Sequence, residues 1–301
     1  MDCVKKWKLE KVAELKGGSD RTFLRVKKGD EYYVLLYDRS PAFFRYLEIQ
    51  RLLRGASIGV PEIFSVDLER RCILLEDLGD LSLMRFVRGA DIDEIRGVYR
   101  DLLAVLSRMQ RDLSGTLGDV FGLRQLHDEI IYFEESFLSH FGVKLDEKKR
   151  GNLFELSTFI FENSPYGFMH RDFQSQNIYL KDGAFKFIDF QNAYEGPIFY
   201  DVASLIQDPY VELPRSLREE LVDHYLSLVR AKGGRELFWK ASVQRLMQAL
   251  AAYVFLSEKK GKGEFRRFIE PGMRLLREAS LEVGLDWLAD LLNELLRKVH
   301  S

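Results

Sequence analysis

The side chains best suited to chemistry lie in a short polar segment near the middle of the chain. His170, Arg171 and Asp172 are consecutive, Asn177 follows five positions after Asp172, and Asp189 follows twelve positions after Asn177. In phosphoryl transfer from ATP, one carboxylate accepts the proton of the attacking hydroxyl, while a second carboxylate and an amide oxygen hold Mg²⁺ against the phosphates. The spacing therefore predicts Asp172 as the base, Asn177 and Asp189 as metal ligands, and ATP and Mg²⁺ as cofactors. His170 and Arg171 are expected to brace the loop.

A predicted hairpin explains how the two metal ligands come together. The apolar runs Asn177–Leu180 and Ala184–Ile188 flank the turn Lys181-Asp182-Gly183. Two short apolar runs around an Asp-Gly turn are typical of antiparallel strands. The hairpin would carry Asn177 at one of its ends and Asp189 just beyond the other.

The first 80 residues predict a small lobe with the order β-β-α-β-β. Thr22–Val26 and Tyr32–Tyr37 form one strand pair around a Gly-Asp turn, and Ile63–Asp67 and Arg71–Glu76 form another. Between them, apolar residues at helical spacing follow Pro41, which is well suited to start a helix. One helix is therefore expected to pack on an antiparallel sheet.

From Ser82 onward, the apolar spacing is mostly helical. The predicted helical stretches are 92–111, 124–140, 146–162, 215–231, 236–258 and 264–298. The uncharged run Leu246–Ser257 is about a dozen residues long and thus too short to span a bilayer, so it predicts a buried core helix. We therefore expect an α+β fold with two lobes, a small antiparallel-sheet lobe and a larger helical lobe.

Composition excludes several classes of protein. The chain has 301 residues, of which 46% are hydrophobic, enough for a sizeable core. Lys and Arg number 45 against 47 Asp and Glu, a balance that argues against a nucleic-acid partner. Cys3 and Cys72 form no C-x-x-C pair and predict no disulfide framework. With no apolar stretch behind the basic N-terminus, we expect a cytoplasmic protein that does not bind a membrane.

The chain resembles the aminoglycoside phosphotransferase and choline kinase family, which has a protein-kinase-like fold. The resemblance rests on Gly59-Val60-Pro61-Glu62, on the hinge-like Ile73–Gly79, and on Asp189-Phe190-Gln191. Within this family, Ser19–Val26 and Asp189–Asp201 are similar to segments of bacterial sugar 1-kinases, which phosphorylate N-acetylated amino sugars at the anomeric hydroxyl. The resemblance implies such a kinase with a small-molecule substrate.

The resemblance also implies a domain organisation and a nucleotide site. Residues 1–75 would form the first lobe, 76–80 the hinge and 81–301 the helical lobe. Adenine would bind the hinge backbone at Glu76, Asp77 and Leu78, and the phosphates would lie under a turn that contains Gly18, Ser19 and Asp20. Asp201 would be the buried carboxylate that supports the catalytic loop.

The strand Tyr33–Tyr37 lacks the lysine with which most kinases grip the α- and β-phosphates. Glu48, the helix residue expected to support that lysine, would then be either unpaired or solvated. Arg21 and Arg25 are the nearest cations, so we predict that one of them contacts an ATP phosphate instead.

The acceptor is harder to predict. Between Asp201 and Ser301 there are 15 acidic and 16 basic residues, a balance that favours a neutral or anionic sugar over a polycation. Hydrogen bonds to its hydroxyls are expected from Gln191, Asn192, Asp208 and Tyr210. Two alternatives stay open: a kinase of the same family acting on an aminoglycoside, choline or a homoserine-like alcohol, and a pseudokinase that binds nucleotide or a partner protein.

Overall fold

The computed structural model describes residues 2–15 and 21–299. The chain divides into two compact units, the first comprising Met1–Arg85 with Asn177–Asn192, the second Phe86–Gln176 with Ala193–Ser301. The resemblance implied a first lobe of residues 1–75, a hinge of residues 76–80 and a helical lobe of residues 81–301. The first unit also contains the segment of the catalytic motif after Gln176, which the resemblance placed in the helical lobe.

The described residues form strands and α-helices that are numbered in chain order. The strands are β1 (Glu10–Leu15), β2 (Thr22–Lys28), β3 (Glu31–Tyr37), β4 (Ile63–Asp67), β5 (Cys72–Glu76), β6 (Tyr166–Met169), β7 (Ile178–Lys181), β8 (Ala184–Phe187) and β9 (Tyr194–Pro197). The α-helices are α1 (Asp2–Lys6), α2 (Ala42–Gly55), α3 (Leu83–Val87), α4 (Ile92–Asp112), α5 (Leu123–Tyr132), α6 (Glu147–Asn163), α7 (Ile198–Ile206), α8 (Arg215–Leu228), α9 (Gly234–Val254), α10 (Ile269–Glu282) and α11 (Asp286–Val299).

The first unit is built on an antiparallel sheet with the strand order β1-β2-β3-β5-β4. The four predicted strands are present, and α2 follows Pro41 as expected. The edge strand β1 was not predicted, because nearly all of its side chains are exposed and its sequence lacks an alternating pattern. The sheet thus has one more strand than the sequence indicated.

A disulfide joins Cys3 of α1 to Cys72 of β5, which corrects the expectation of unlinked cysteines. Both residues are fully buried in a core cluster with Leu24 and Leu74, and their Cα atoms lie 6.8 Å apart. No pattern in the sequence indicated the pairing, because the cysteines are 69 positions apart and meet only when α1 packs beside the sheet. The bridge anchors the N-terminal helix to the strand that leads into the hinge.

Reduction of this bridge is expected to lower the free energy of unfolding by about 2–4 kcal/mol, because the bridge restricts a long loop in the unfolded chain. The measurement is the urea midpoint of the full chain with and without reductant. Cys3→Ser is the control: its midpoint should equal that of the reduced protein and should not respond to reductant. A midpoint that stays constant while thiol titration shows both cysteines reduced would contradict the expectation.

The predicted hairpin of the catalytic segment is confirmed. Strands β7 and β8 pair in antiparallel fashion across a turn in which Asp182 and Gly183 both have positive φ. Phe187 donates its N–H to the carbonyl of Gly59 at 2.8 Å, which places the hairpin in the first unit. A Cβ atom on Gly59 would lie 2.0 Å from the carbonyl oxygen of Phe185, so this approach requires glycine.

The second unit packs its helices around α9, which is buried along almost its whole length. Two π-helical turns, Phe133–Leu138 and Phe255–Lys259, continue α5 and α9. The predicted stretch 264–298 is instead a 3-10 segment followed by α10 and α11, which separate near Gly284 where φ is positive. None of the helices in the described part of the chain has the length and apolarity needed to cross a membrane.

Candidate active site

Asp201 holds the start of the catalytic loop. The loop begins after β6, and the carboxylate of Asp201 in the first turn of α7 accepts the backbone N–H groups of His170 at 2.6 Å and Arg171 at 2.8 Å. Asp201 is fully buried, and Arg171 has a φ of 77°, a strained conformation that these bonds help to maintain. This is the arrangement that the resemblance implied for Asp201.

Asp208 holds the end of the same loop. One carboxylate oxygen accepts the N–H of Ser175 at 2.7 Å, and the other accepts the N–H of Tyr210 at 2.9 Å. Asp208 is buried, and the ring of Tyr210 packs against that of Phe268 with centroids 4.3 Å apart. These positions argue against the predicted contacts of Asp208 and Tyr210 with substrate, because the first supports the backbone and the second belongs to an aromatic cluster.

Arg171 braces the loop through a buried carboxylate. Its guanidinium lies 3.7 Å from Glu129 of α5, which also accepts hydrogen bonds from the hydroxyl of Tyr200 and the amide of Gln244. Burial raises the pKa of Glu129, while the charge of Arg171 opposes the rise. The guanidinium also lies over the ring of Phe121, so packing as well as charge holds this side chain.

Asp172, the predicted base, has a more accessible side chain than the groups that hold the loop. Its carboxylate is 26% exposed, and the nearby guanidinium of Arg245 lies 3.5 Å from Oδ1. The backbone carbonyl of Asp172 accepts the N–H of Gln174 at 2.9 Å, which makes a tight turn after the acid. An accessible carboxylate on a rigid loop is suited to accept a proton from a bound hydroxyl.

Asn177 and Asp189 lie together at the open end of the β7–β8 hairpin in the first unit. The carbonyl of Asn177 accepts the N–H of Ile188 at 3.0 Å, which extends the strand pairing to the residue before Asp189. Asp189 has a φ of 65°, and its carboxylate remains about one-third exposed. An amide and a carboxylate brought to one end of a hairpin are suitable ligands for a hard divalent cation.

Arg21 and Gln191 contact the carboxylate of Asp189. The guanidinium of Arg21 forms an ion pair with it, and the side-chain amide of Gln191 donates to it at 2.9 Å. Gln191 is buried, so its position favours support of Asp189 over the predicted contact with a sugar. Asn192, at the end of the same short 3-10 turn, is exposed, and its predicted sugar contact remains a prediction.

Arg25 contacts the segment that follows β5. Its guanidinium contacts the carboxylates of Asp77 and Asp80 at 2.6 and 3.1 Å and the carbonyl of Gly79 at 3.2 Å. These contacts fix the segment after β5, and the predicted contact of Arg25 with phosphate remains a prediction. Of the two candidate cations, Arg21 is the one at Asp189.

The hinge is also held by the hairpin. Lys181 and Lys186 donate to the carboxylate of Glu76 at 2.8 and 3.1 Å, and Lys181 donates to the carbonyl of Asp77 at 2.7 Å. Burial acts to raise the pKa of Glu76, but the two lysines outweigh it and leave the pKa lowered. Leu78, the third residue predicted to bind adenine, is buried. The hinge is thus ordered by ion pairs within its own unit.

Two further predictions concern the phosphate side of the first unit. Glu48 is exposed and forms an ion pair with Arg45 at 3.1 Å, one turn earlier in α2, so it is a surface residue and not a support for a phosphate ligand. Because β3 contains no lysine, Glu48 has no strand lysine to pair with. Gly18, Ser19 and Asp20 lie outside the described residues.

Arg245 and the amide residues around it were not among the residues predicted from the sequence. Arg245 is buried in α9, where its Nε donates to the hydroxyl of Ser204 at 3.1 Å and one terminal nitrogen donates to Gln174 at 3.1 Å. The available signal was the pair Gln244-Arg245 inside a helix whose other residues are mostly apolar. A charged residue at a core position of a buried helix requires a partner, and here that partner is the catalytic loop.

The fold is that of kinase-like phosphotransferases. It superposes on an ADP-bound aminoglycoside phosphotransferase APH(2'')-Ib with a TM-score of 0.60, covering 93% of this chain and 96% of that chain at 15% identity. It also superposes on a choline/ethanolamine kinase family protein from Mesorhizobium loti with a TM-score of 0.64, covering 90% and 87% of the two chains at 13% identity. The expected α+β fold with two lobes is confirmed.

Residues 11–238 match the Phosphotransferase enzyme family (APH), and the chain belongs to this family. Its sequence is 26% identical over 276 residues to an N-acetylmuramate/N-acetylglucosamine kinase of Pseudomonas aeruginosa, which covers 87% of this chain and 81% of that protein. A kinase of the same name from Neisseria meningitidis is 25% identical over 278 residues, with 86% and 82% covered. The chain is therefore an ATP-dependent phosphotransferase.

Proposed function

We propose that the protein transfers the γ-phosphoryl group of ATP to the anomeric hydroxyl of an N-acetylated amino sugar. The observation that carries the proposal is the accessible carboxylate of Asp172 on a loop whose two ends are held by buried carboxylates. The similarity to kinases named for N-acetylmuramate and N-acetylglucosamine supports the sugar as acceptor.

In the proposed reaction, Asp172 accepts the proton of the sugar hydroxyl as the oxygen attacks the γ-phosphorus. The new O–P bond forms while the bond from the γ-phosphorus to the bridging oxygen breaks, so that ADP leaves with the electron pair. His170 and Arg171 keep the loop in place by donating their N–H groups to Asp201. The protein contributes positioning and charge and forms no covalent intermediate.

Asn177 and Asp189 would hold Mg²⁺. The donor set fits this ion, since it provides one carboxylate and one amide oxygen and leaves positions for phosphate oxygens and water. The partial exposure of the Asp189 carboxylate supports the assignment, because an ion and its water ligands can reach it. When bound, the metal would neutralise the charge that develops on the phosphates.

We propose that Arg21 takes over the phosphate contact that the missing strand lysine provides elsewhere. A guanidinium at Asp189 lies beside the position where metal-bound phosphates are expected. Arg21→Gln should raise the KM for ATP about tenfold or more, the usual effect of losing a hydrogen bond between charged groups. Steady-state kinetics at saturating sugar measures it. Arg45→Gln is the matched control, because it removes an arginine of the same unit that pairs with the exposed Glu48; an equal rise in the KM for ATP in this variant would contradict the assignment.

The substrate is tested by measuring ADP release with Mg²⁺ and a panel of N-acetylmuramate, N-acetylglucosamine, an aminoglycoside, choline and homoserine. The proposal expects turnover with the N-acetylated sugars, and a product that no longer reacts as a reducing sugar, because phosphorylation at the anomeric oxygen blocks ring opening. A product that still reduces would place the phosphate on another hydroxyl. Turnover with the aminoglycoside or choline alone would select the alternative acceptors, and ATP binding without turnover would select the pseudokinase.

We also propose that the enzyme works in the cytoplasm, where ATP is supplied. The buried disulfide is unusual for that compartment, except in hyperthermophiles, whose intracellular proteins are rich in disulfides. The high proportion of charged residues, 31%, is also typical of heat-adapted proteins.

A further inference from the structure

Arg245 is a buried cation in the middle of α9 whose guanidinium is held by neutral partners. Only 5% of the residue is exposed. Its Nε donates to the hydroxyl of Ser204 in α7 at 3.1 Å, and one terminal nitrogen donates to Gln248 on the next turn of α9. The other terminal nitrogen donates to the side-chain oxygen of Gln174 in the catalytic loop at 3.1 Å. These bonds fix the guanidinium in one orientation.

The same terminal nitrogen lies 3.5 Å from Oδ1 of Asp172. A buried charge is costly unless an opposite charge compensates it, and the carboxylate of Asp172 supplies that charge at the surface of the loop. The neutral partners hold the cation, and the cation in turn faces the predicted base. In a simple structural ion pair, each charged side chain is held mainly by the other. Here, the position of Arg245 is set by neutral side chains as well as by Asp172.

Arg245 also balances a cluster of buried acids. Burial raises the pKa of Glu129, Asp201 and Asp208, and the positive charge of Arg245 opposes the rise at each. Asp201 and Asp208 hold the two ends of the catalytic loop. One cation thus lies near both the accessible carboxylate of Asp172 and the carboxylates that hold its loop.

We propose that Arg245 is a positioning residue for phosphoryl transfer, which keeps the Asp172 carboxylate and Gln174 in the orientation that the incoming hydroxyl requires. The inference rests on the role of Asp172 given under the proposed function. A base accepts a proton only when its oxygen lies within hydrogen-bond distance of the hydroxyl and is correctly directed. A guanidinium fixed beside Oδ1 limits rotation of the carboxylate before the substrate binds, which is preorganisation.

The test compares kcat and KM for Arg245→Gln, Arg245→Lys and the unmodified protein, with the best acceptor of the panel described above. Arg245→Gln should lower kcat by about 10- to 100-fold, the range expected for a small displacement of a reacting group. The KM for ATP should stay within about twofold. Arg245→Lys keeps the charge without the planar fork, so it should recover part of the lost kcat.

Arg218→Gln is the matched control, because Arg218 is an equally buried arginine of the same unit. It donates to Gln207 and to the carbonyl of Leu213 and pairs with Glu278. Its loss should lower the urea midpoint as much as the loss of Arg245 while kcat remains within about twofold. If both variants lower kcat equally, Arg245 acts only through stability and the proposal is wrong.

A second measurement tests the coupling to Asp172 and does not depend on the acceptor. The slow hydrolysis of ATP by water is measured for Asp172→Asn, for Arg245→Gln and for both together. In the presence of Asp172→Asn, the Arg245→Gln change should lower the rate by less than about twofold, because the residue that it positions is already inactive. Independent, multiplicative losses would overturn the proposal. Failure of every sugar in the panel would overturn the proposed acceptor but leave this coupling measurable.

Discussion

The Asp172→Asn variant is expected to lose turnover by about 10²- to 10⁴-fold, the contribution typical of a general base. The amide has the shape of the carboxylate, and its oxygen can still accept the hydrogen bond from Arg245 that the carboxylate now receives. It cannot take up a proton near neutral pH, so the attacking hydroxyl loses its acceptor. Since Asp172 is proposed to contact the sugar hydroxyl and not the nucleotide, the Kd for ATP should change by less than about twofold.

Steady-state kinetics with the sugar, together with calorimetric titration of ATP, checks this expectation. Asp182→Asn is the control, because it removes the same charge from the exposed turn of the β7–β8 hairpin. Asp182 has a positive φ that asparagine also tolerates, so this variant should keep its turnover. If Asp172→Asn retains more than half of the turnover, Asp172 is not the base. If it loses ATP affinity instead, the carboxylate acts in nucleotide binding.

The features of the site that the sequence indicated depend on local structure. The β7–β8 hairpin follows from two apolar runs and an Asp-Gly turn, all within a dozen residues. The support of the loop by Asp201 was implied by resemblance to a family whose motif includes that position. In both cases the residues that meet are either close in the chain or fixed by a recognisable motif.

The contacts that the sequence could not supply join residues far apart in the chain. The ion pairs of Arg25 with Asp77 and Asp80 depend on the register of β2 and on the path of the chain after β5. Arg245 reaches Asp172 because α9 packs beside α7 and the loop. Neither the periodicity of a helix nor the alternation of a strand specifies which polar side chain another element will meet.

The Asp201→Asn variant is expected to lower kcat by about 100-fold while also destabilising the fold. The carboxylate accepts two adjacent N–H groups, from His170 and Arg171. An asparagine has one acceptor oxygen, so one N–H would face an amide donor inside a fully buried site, at a cost of about 1–3 kcal/mol. The strained φ of Arg171 would relax, and a displacement of Asp172 by about 1 Å is enough for the kinetic loss.

Asp67→Asn is the control that separates a specific loss of kcat from a general loss of stability. Asp67 is a buried carboxylate of the first unit that accepts the side chain of Lys6 at 2.7 Å and the N–H of Arg70 at 2.9 Å. Its replacement should lower the urea midpoint while leaving kcat within about twofold. Equal kinetic losses in the two variants would show that Asp201 has no particular effect on the loop.

The pH dependence of stability gives Asp201 a second, independent signature. Burial raises the pKa of Asp201 to about 7 and outweighs the N–H groups of the loop, which favour the charged form. Because the pKa is higher in the folded than in the unfolded chain, the stability from this group is fully present below about pH 4 and is lost as the pH rises through 7. The urea midpoint of the unmodified protein should therefore fall between about pH 4 and pH 7. The midpoint of Asp201→Asn should fall less over the same range, because asparagine does not titrate. Parallel pH profiles would contradict this assignment. The two N–H donors are best satisfied by the ionised carboxylate, so the loop geometry required for catalysis lowers the stability of the fold at neutral pH.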